Sequence, residues 1–244
     1  MSLVADIFKV LIISNNGEVI GIDTLEESSI NVAGNETDVT GGRGDNILAI
    51  LNGRRDIEIA LNNPEWRMDI LAKHLGQEIQ VGATEAYAFP KWHEVDESDS
   101  ITLDETPSLS ASIVIVDKDE KPIESSTYTV SSNKVTFDSG VSVGEHVKVV
   151  TYKYQTSAET ETLDIDNTKF PENVKVVLET LEIDNNEKPI SKLQFEYPEV
   201  KPSTDFSFNT SSAKQQSNQE SKLRVLKPKF SETIGTFKRI PISA

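Results

Sequence analysis

Cysteine is absent from the 244 residues. That excludes a disulfide framework, a thiolate nucleophile and a Cys-based metal site. Histidine is scarce: His74, His93 and His146 stand far apart in the chain, and no His-Glu-x-x-His spacing links them. Apolar residues make up 36% and aromatics 7%, enough for a core but on the lean side, so much of the chain should be surface, hairpin or interface. No stretch approaches the ~18–20 apolar residues of a membrane span. The opening MSLVADIFKVLIIS (1–14) has no basic leader, and its apolar run is too short for a signal peptide. This predicts a soluble chain, made without an export signal and with no membrane partner. Positive charge is in the minority, with 24 Lys and Arg against 40 Asp and Glu and a net charge of −16. Gripping phosphate backbones needs clustered Lys and Arg. An acidic surface repels DNA instead, and repulsion can itself be a function.

The text of the chain is mostly β. Phe8–Ile13 and Val19–Ile22 read as two strands joined by Ser-Asn-Asn-Gly (14–17), whose residues tolerate positive φ. In 27–39, Ile30 and Val32 alternate with polar neighbours. Glycines follow at 41, 42 and 44, then an apolar run at 47–51, a break at Gly53, and RRDIEIAL (54–61) with Ile57, Ile59 and Leu61 on one face. One helix is signalled, over 62–76. Asn63 is a cap, Pro64 a first-turn residue, Asp69 lies early, Lys73 and His74 lie late, and Gly76 sits just past the end. Trp66, Ile70 and Leu71 share its apolar stripe, the expected packing face. Beyond Glu97 short strands and turns recur every ~8–12 residues without helix signals, as in a small β-sandwich. The expected plan is mainly β: residues 1–97 and 156–244 as one domain with a flanking helix, and 98–155 inserted into it. In the second part NVKVVLETLEI (173–183), Asn-Asn-Glu-Lys and SKLQFEYPEV (191–200) form a long hairpin.

Candidate chemistry is thin. GGRGDN (41–46) lacks the Lys-Ser/Thr of a phosphate loop and leads into a strand rather than a helix. Its Arg-Gly-Asp triplet has no use as an adhesion signal in a chain that is not exported. The bland reading is a mobile glycine loop; the sharper one is a loop that changes shape when copies of the protein meet. The carboxylate pairs Glu26/Glu27, Asp117/Asp119 and Asp164/Asp166 lie beside turns or on alternating strands, where solvated surface is the ordinary state. DKDEK (117–121) supplies half of a calcium loop and reads better as a hairpin turn. Tyr87, Phe89, Trp92 and His93 could stack bases or sugars, pack the helix against the sheet, or form a subunit contact. No Gly-x-Ser-x-Gly elbow is present. No catalytic residue, metal site or cofactor is therefore assigned, and the chain reads as a structural protein rather than an enzyme.

Element order carries a resemblance. The N-terminal hairpin FKVLIISNNGEVIGI leads to the glycine-rich stretch SSINVAGNETDVTGGRGDN, the alternating RRDIEIAL and the helix NPEWRMDILAKHLG. Later come a second hairpin, the acidic STDFSFNTS (203–211) and a closing IGTFKRIPI (234–242). This series resembles the bacteriophage tail tube, or major tail, proteins, and the segment 98–155 resembles the immunoglobulin-like decorations of phage virion proteins. The resemblance implies a β-sandwich that forms a barrel with its neighbours in six-membered rings, stacked into a hollow tube through which DNA passes as non-specific cargo. It implies a place in the virion tail after assembly in the bacterial host cytoplasm. It also implies contacts with other copies and with tape measure, terminator and baseplate hub proteins. By the same resemblance 32–51 becomes the inter-ring loop, with Gly41, Gly42, Arg43, Gly44 and Asp45 at its centre. The alternative is a carbohydrate- or surface-binding virion decoration protein using 98–155 and the aromatic run.

Overall fold

The computed structural model describes residues 3–4, 6–108, 113–208 and 217–242. The chain divides into two compact units, one of Met1–Ile79 with Leu163–Ala244 and one of Gln80–Thr162. The first begins with β1 (Leu3–Val4), β2 (Lys9–Ser14), β3 (Val19–Ile22), β4 (Glu27–Gly41), β5 (Asn46–Asn63) and α1 (Met68–Leu75). The second holds β6 (Gln80–Val81), β7 (Glu85–Tyr87), β8 (Lys91–Glu94), β9 (Ser100–Thr102), β10 (Val114–Val116), β11 (Tyr128–Ser131), β12 (Lys134–Phe137), β13 (His146–Thr151), β14 (Lys153–Gln155) and β15 (Glu161–Thr162). The chain returns to the first unit with β16 (Val174–Ile183), β17 (Pro189–Pro202), β18 (Gln219–Val225) and β19 (Thr236–Pro241).

The first unit is built on a nine-stranded sheet in the order β3-β2-β16-β17-β18-β5-β4, with β1 paired to β16 and β19 to β17. Alternation in β16 is complete: Val174, Val176, Leu178, Thr180 and Glu182 are buried, and the residues between them are half-buried. Val10, Ile12, Ile20 and Ile22 from one end of the sheet share a core with Ile57, Ile59 and Leu61 from the other. The sheet therefore curls over its own apolar face, yet its end strands β3 and β4 do not pair, so one copy closes no barrel. The two polar members of the buried row are satisfied. Thr180 Oγ1 donates to the Asp6 carbonyl (2.7 Å), and Glu182 accepts from Ser191 and from two Arg239 nitrogens (2.6 and 2.9 Å).

One turn geometry recurs at three hairpin ends, and an aspartate carboxylate braces it at two of them. In DKDEKP the Asp117 carboxylate accepts from the backbone of Asp119 and Lys121, and Glu120 takes φ +60°. In DNNEKP Asp184 bonds Asn186 and Lys188 in the same way, with Glu187 at φ +61°. Between β2 and β3 the left-handed position is filled by Gly17 at φ +87°. A glutamate there accepts a conformation that disfavours any side chain with a Cβ.

The helix is shorter than its sequence signature. It starts at Met68, not at Pro64, because Arg67 is held extended (φ −129°, ψ 115°) by a reciprocal pair of bonds between its backbone N–H and C=O and the amide of buried Gln219, both 3.1 Å. Asn63 ends β5; its Oδ1 accepts from Glu65 N and Thr24 Oγ1 and turns the chain rather than capping the helix. Ile70 joins the core and Leu71 is buried. Trp66 lies outside the helix and is half exposed, its ring edge-on to Phe208 at 4.6 Å, so it is no part of the packing stripe. Gly76 terminates α1 at φ +65°, where a Cβ would fall 2.2 Å from the Phe170 carbonyl oxygen.

The second unit packs two three-stranded sheets, β10-β13-β8 and β11-β12-β9, around Val95, Ile101, Ile115, Val135, Phe137 and Val147. It is wider than 98–155. Strand β8 pairs with β13 (Lys91 opposite Val149, Glu94 opposite His146), and Gln80 pairs with Thr162. Partners so far apart in sequence leave no local signal, which is why 80–97 reads as a continuation of the preceding domain. The aromatic run lies in this unit, with Tyr87, Phe89 and Trp92 exposed. Of the strand expected at 203–211, Ser207 makes only an isolated bridge to Glu220, and 209–216 lie outside the described residues.

Candidate assembly surface

Residues 32–51 are not a long loop. β4 and β5 pair along their length from Glu27 opposite Asn62 to Gly41 opposite Asn46, with register shifts between Gly34 and Glu36 and between Val39 and Thr40, and only residues 42–45 turn. Glycine is required in that turn, where Gly42 and Gly44 take φ +79° and +94° beside Asp45 at +49°. Asn46 Nδ2 donates to the Arg43 carbonyl (3.3 Å) and ties the turn together. Gly53 is likewise not a break. The register shifts there, and a Cβ on Gly53 would lie 2.9 Å from the Asn35 carbonyl oxygen. It is a bulge that lets the two backbones touch.

The inner half of this hairpin belongs to the sheet, because β18 pairs with β5 from Asn63 as far as Glu58. Beyond that point neither strand has another neighbour in the sheet order. Residues 31–40 and 42–55 are all exposed, so the ribbon stands clear of its own unit for roughly 30 Å at ~3.3 Å per residue. Its composition is lopsided. β4 contributes Asn35, Glu36, Thr37 and Asp38, while β5 contributes Ile47, Leu48, Ala49, Ile50 and Leu51. Opposite residues share a face, so Ile47 and Ile50, facing Thr40 and Asp38, lie on one side, and Ala49 and Leu51, facing Val39 and Thr37, lie on the other. An exposed apolar ribbon with two open edges is an aggregation hazard unless another chain covers it.

The sheet face turned away from the core has a different character. Lys175 and Lys238 both bond Glu196, at 2.5 and 2.6 Å. Their hydrogen bonds pull its carboxyl down to about 2. Lys192 pairs with Glu179 (3.1 Å), Lys222 with Glu220 (3.3 Å) and Arg224 with Asp56 (3.4 Å). These cations are matched by neighbouring carboxylates rather than gathered into a basic stripe. Among the described residues no group of His, Asp and Glu is placed to hold a metal ion. Asp117 and Asp119 lie in the hairpin turn, and among the described residues no helix is long and apolar enough to cross a membrane.

A protruding, uncovered ribbon on a curled but unclosed sheet is the geometry of a subunit awaiting its neighbours, and the family comparison agrees. The chain belongs to the YomU/Tube protein family, matched over residues 2–240. It is a phage tail tube protein, a structural component of the virion tail. No curated protein matches the chain. Membership in a tube family implies self-assembly and association with other tail proteins. One feature of this tube protein escapes sequence reading altogether. His74 is buried: one ring nitrogen lies 2.6 Å from the Ser203 carbonyl and the other 2.5 Å from Ser221 Oγ. Burial pushes its pKa below 6.5, so the ring is neutral, with Nδ1–H donating to the carbonyl and Nε2 accepting from the hydroxyl.

Proposed function

We propose that the protein polymerises as stacked hexameric rings into the tail tube and that the tube is a channel for DNA. The hairpin arm carries this reading. The molecule leaves its longest unbroken apolar run, Ile47–Leu51, uncovered, and stacking of rings supplies the cover. Gly41, Gly42, Arg43, Gly44 and Asp45 then form the tip of the inter-ring contact, with the arm working as a preformed ribbon. Side-by-side pairing of the open edges at β3 and β4 completes the barrel that one copy leaves open. The matched charges on the outward sheet face suit a wall beside a polyanion, because cations already paired with carboxylates offer phosphate little. The inserted unit serves as an immunoglobulin-like decoration, and tape measure, terminator and baseplate hub proteins meet the tube inside and at its ends.

Exposure of Tyr87 and Phe89 in the second unit favours one alternative, a carbohydrate- or surface-binding decoration protein. Negative-stain microscopy of the concentrated, purified protein separates the two. Uniform hollow filaments support the tube. A monodisperse monomer at every concentration, together with glycan binding, overturns it.

A further inference from the structure

A groove opens at the root of the hairpin arm, between Val4 and residues 6–8 on one side and the first residues of β4 and the last of β5 on the other. Ile7, Phe8 and Leu61 give it an apolar lining, while Glu26 and Glu27 stand on it as carboxylates. No lysine or arginine lines it among the described residues, and Glu220, also on its wall, pairs with Lys222. Asn218 Nδ2 donates to Glu26 (2.7 Å) and helps to hold that carboxylate in place. Two carboxylates with no cation beside them, next to an apolar wall, call for an occupant that is cationic and partly apolar.

The tip of the arm has that chemistry. Arg43 stands in the turn, makes no ion pair among the described residues and carries five donors. Ile47 and Leu48 follow it, both exposed. A paired ribbon cannot fold back onto its own root, so the tip that fills a groove must come from another copy. We propose that the groove receives the arm tip of a second copy, with Arg43 between the Glu26 and Glu27 carboxylates, and Ile47 and Leu48 against Ile7 and Phe8. The inference deepens the tube reading and rests on it. Tip and groove occupy opposite ends of one ribbon, so the contact is head-to-tail and propagates without closing on itself. The rise along β4 from Ser28 to Gly41 sets the step between layers at roughly 40 Å, at ~3.3 Å per residue.

The native chain has no cysteine, so a disulfide trap in the full-length protein has no background. Arg43→Cys combined with Glu27→Cys is expected to give a ladder of covalent oligomers on oxidation, and each single variant to stop at dimers. Arg43→Glu, or Glu26→Arg with Glu27→Arg, is expected to raise the concentration at which filaments form by about tenfold or more. All three changes in one chain should restore assembly, with melting temperatures confirming that every variant folds. Filaments from wild-type protein without a ladder from the double-cysteine variant, or Arg43→Glu filaments at the wild-type concentration, overturn the groove and leave the tube intact. A wild-type protein that never assembles overturns both.

Discussion

Replacing Ile47 and Ile50 together by serine separates folding from assembly. Both lie on one side of the arm, opposite Thr40 and Asp38, and they expose 59% and 53% of their surface in the free subunit. Complete burial of such a side chain is worth ~1.5–3 kcal/mol, so covering what each still exposes contributes about 1–2 kcal/mol. Losing both should cost each arm contact about 2–4 kcal/mol, or roughly 30- to 1,000-fold in association constant. Neither side chain belongs to the core of its own unit, so the melting temperature of the free subunit should move by no more than a degree or two. Sedimentation across a concentration series reads the first quantity, and calorimetry on the dilute protein reads the second. Unchanged assembly removes the arm from the interface. A fall of several degrees in melting temperature shows that the arm packs on its own subunit, and refutes the reasoning from the other side.

His74 makes stability pH-dependent. Its folded pKa lies below the unfolded value of about 6.5, so the unfolded chain binds the proton first. Stability is then complete above that pH, falls as the pH drops through it, and levels off below the folded pKa. Urea titrations between pH 7.5 and 5 should show less of this slope in His74→Gln, which is also less stable by about 1–3 kcal/mol at pH 7; an equal slope in both proteins contradicts the assignment. Glu187→Gly should stabilise the β16–β17 hairpin by about 0.5–1 kcal/mol, because φ +61° suits glycine, and a destabilised variant would show that the turn has another geometry. Gln80 pairs with Thr162, so the second unit enters and leaves at points about 5 Å apart. Replacing Gln80–Thr162 by a short Gly-Ser linker should leave the first unit folded and able to form filaments, and a folded remainder that fails to polymerise would place assembly contacts in the excised unit.

Sequence reveals this fold where the signal is local. The alternation of β16, the turn sequences at Asp117 and Asp184 and the αL glycine at Gly76 each carry their own physical cause within a few residues. Distant partners hide the rest. Helix α1 starts late because Arg67 is held by Gln219 from the far end of the chain, and His74 is buried because Ser203 and Ser221 receive it. The arm is the instructive case. Its glycines read as a loop and its apolar run shows no alternation, because neither face is covered by its own subunit. Only the paired register shows that glycine serves the turn and the bulge while the strands run on.

The central claim is that copies of this chain cover one another's arms in a stacked, hollow tube. A cryo-electron microscopy reconstruction of the assembled filament tests it most directly. The account predicts six subunits per layer, layers roughly 40 Å apart and the ribbon 31–55 buried between layers. A filament in which that ribbon faces solvent, or one with no open channel, would contradict it.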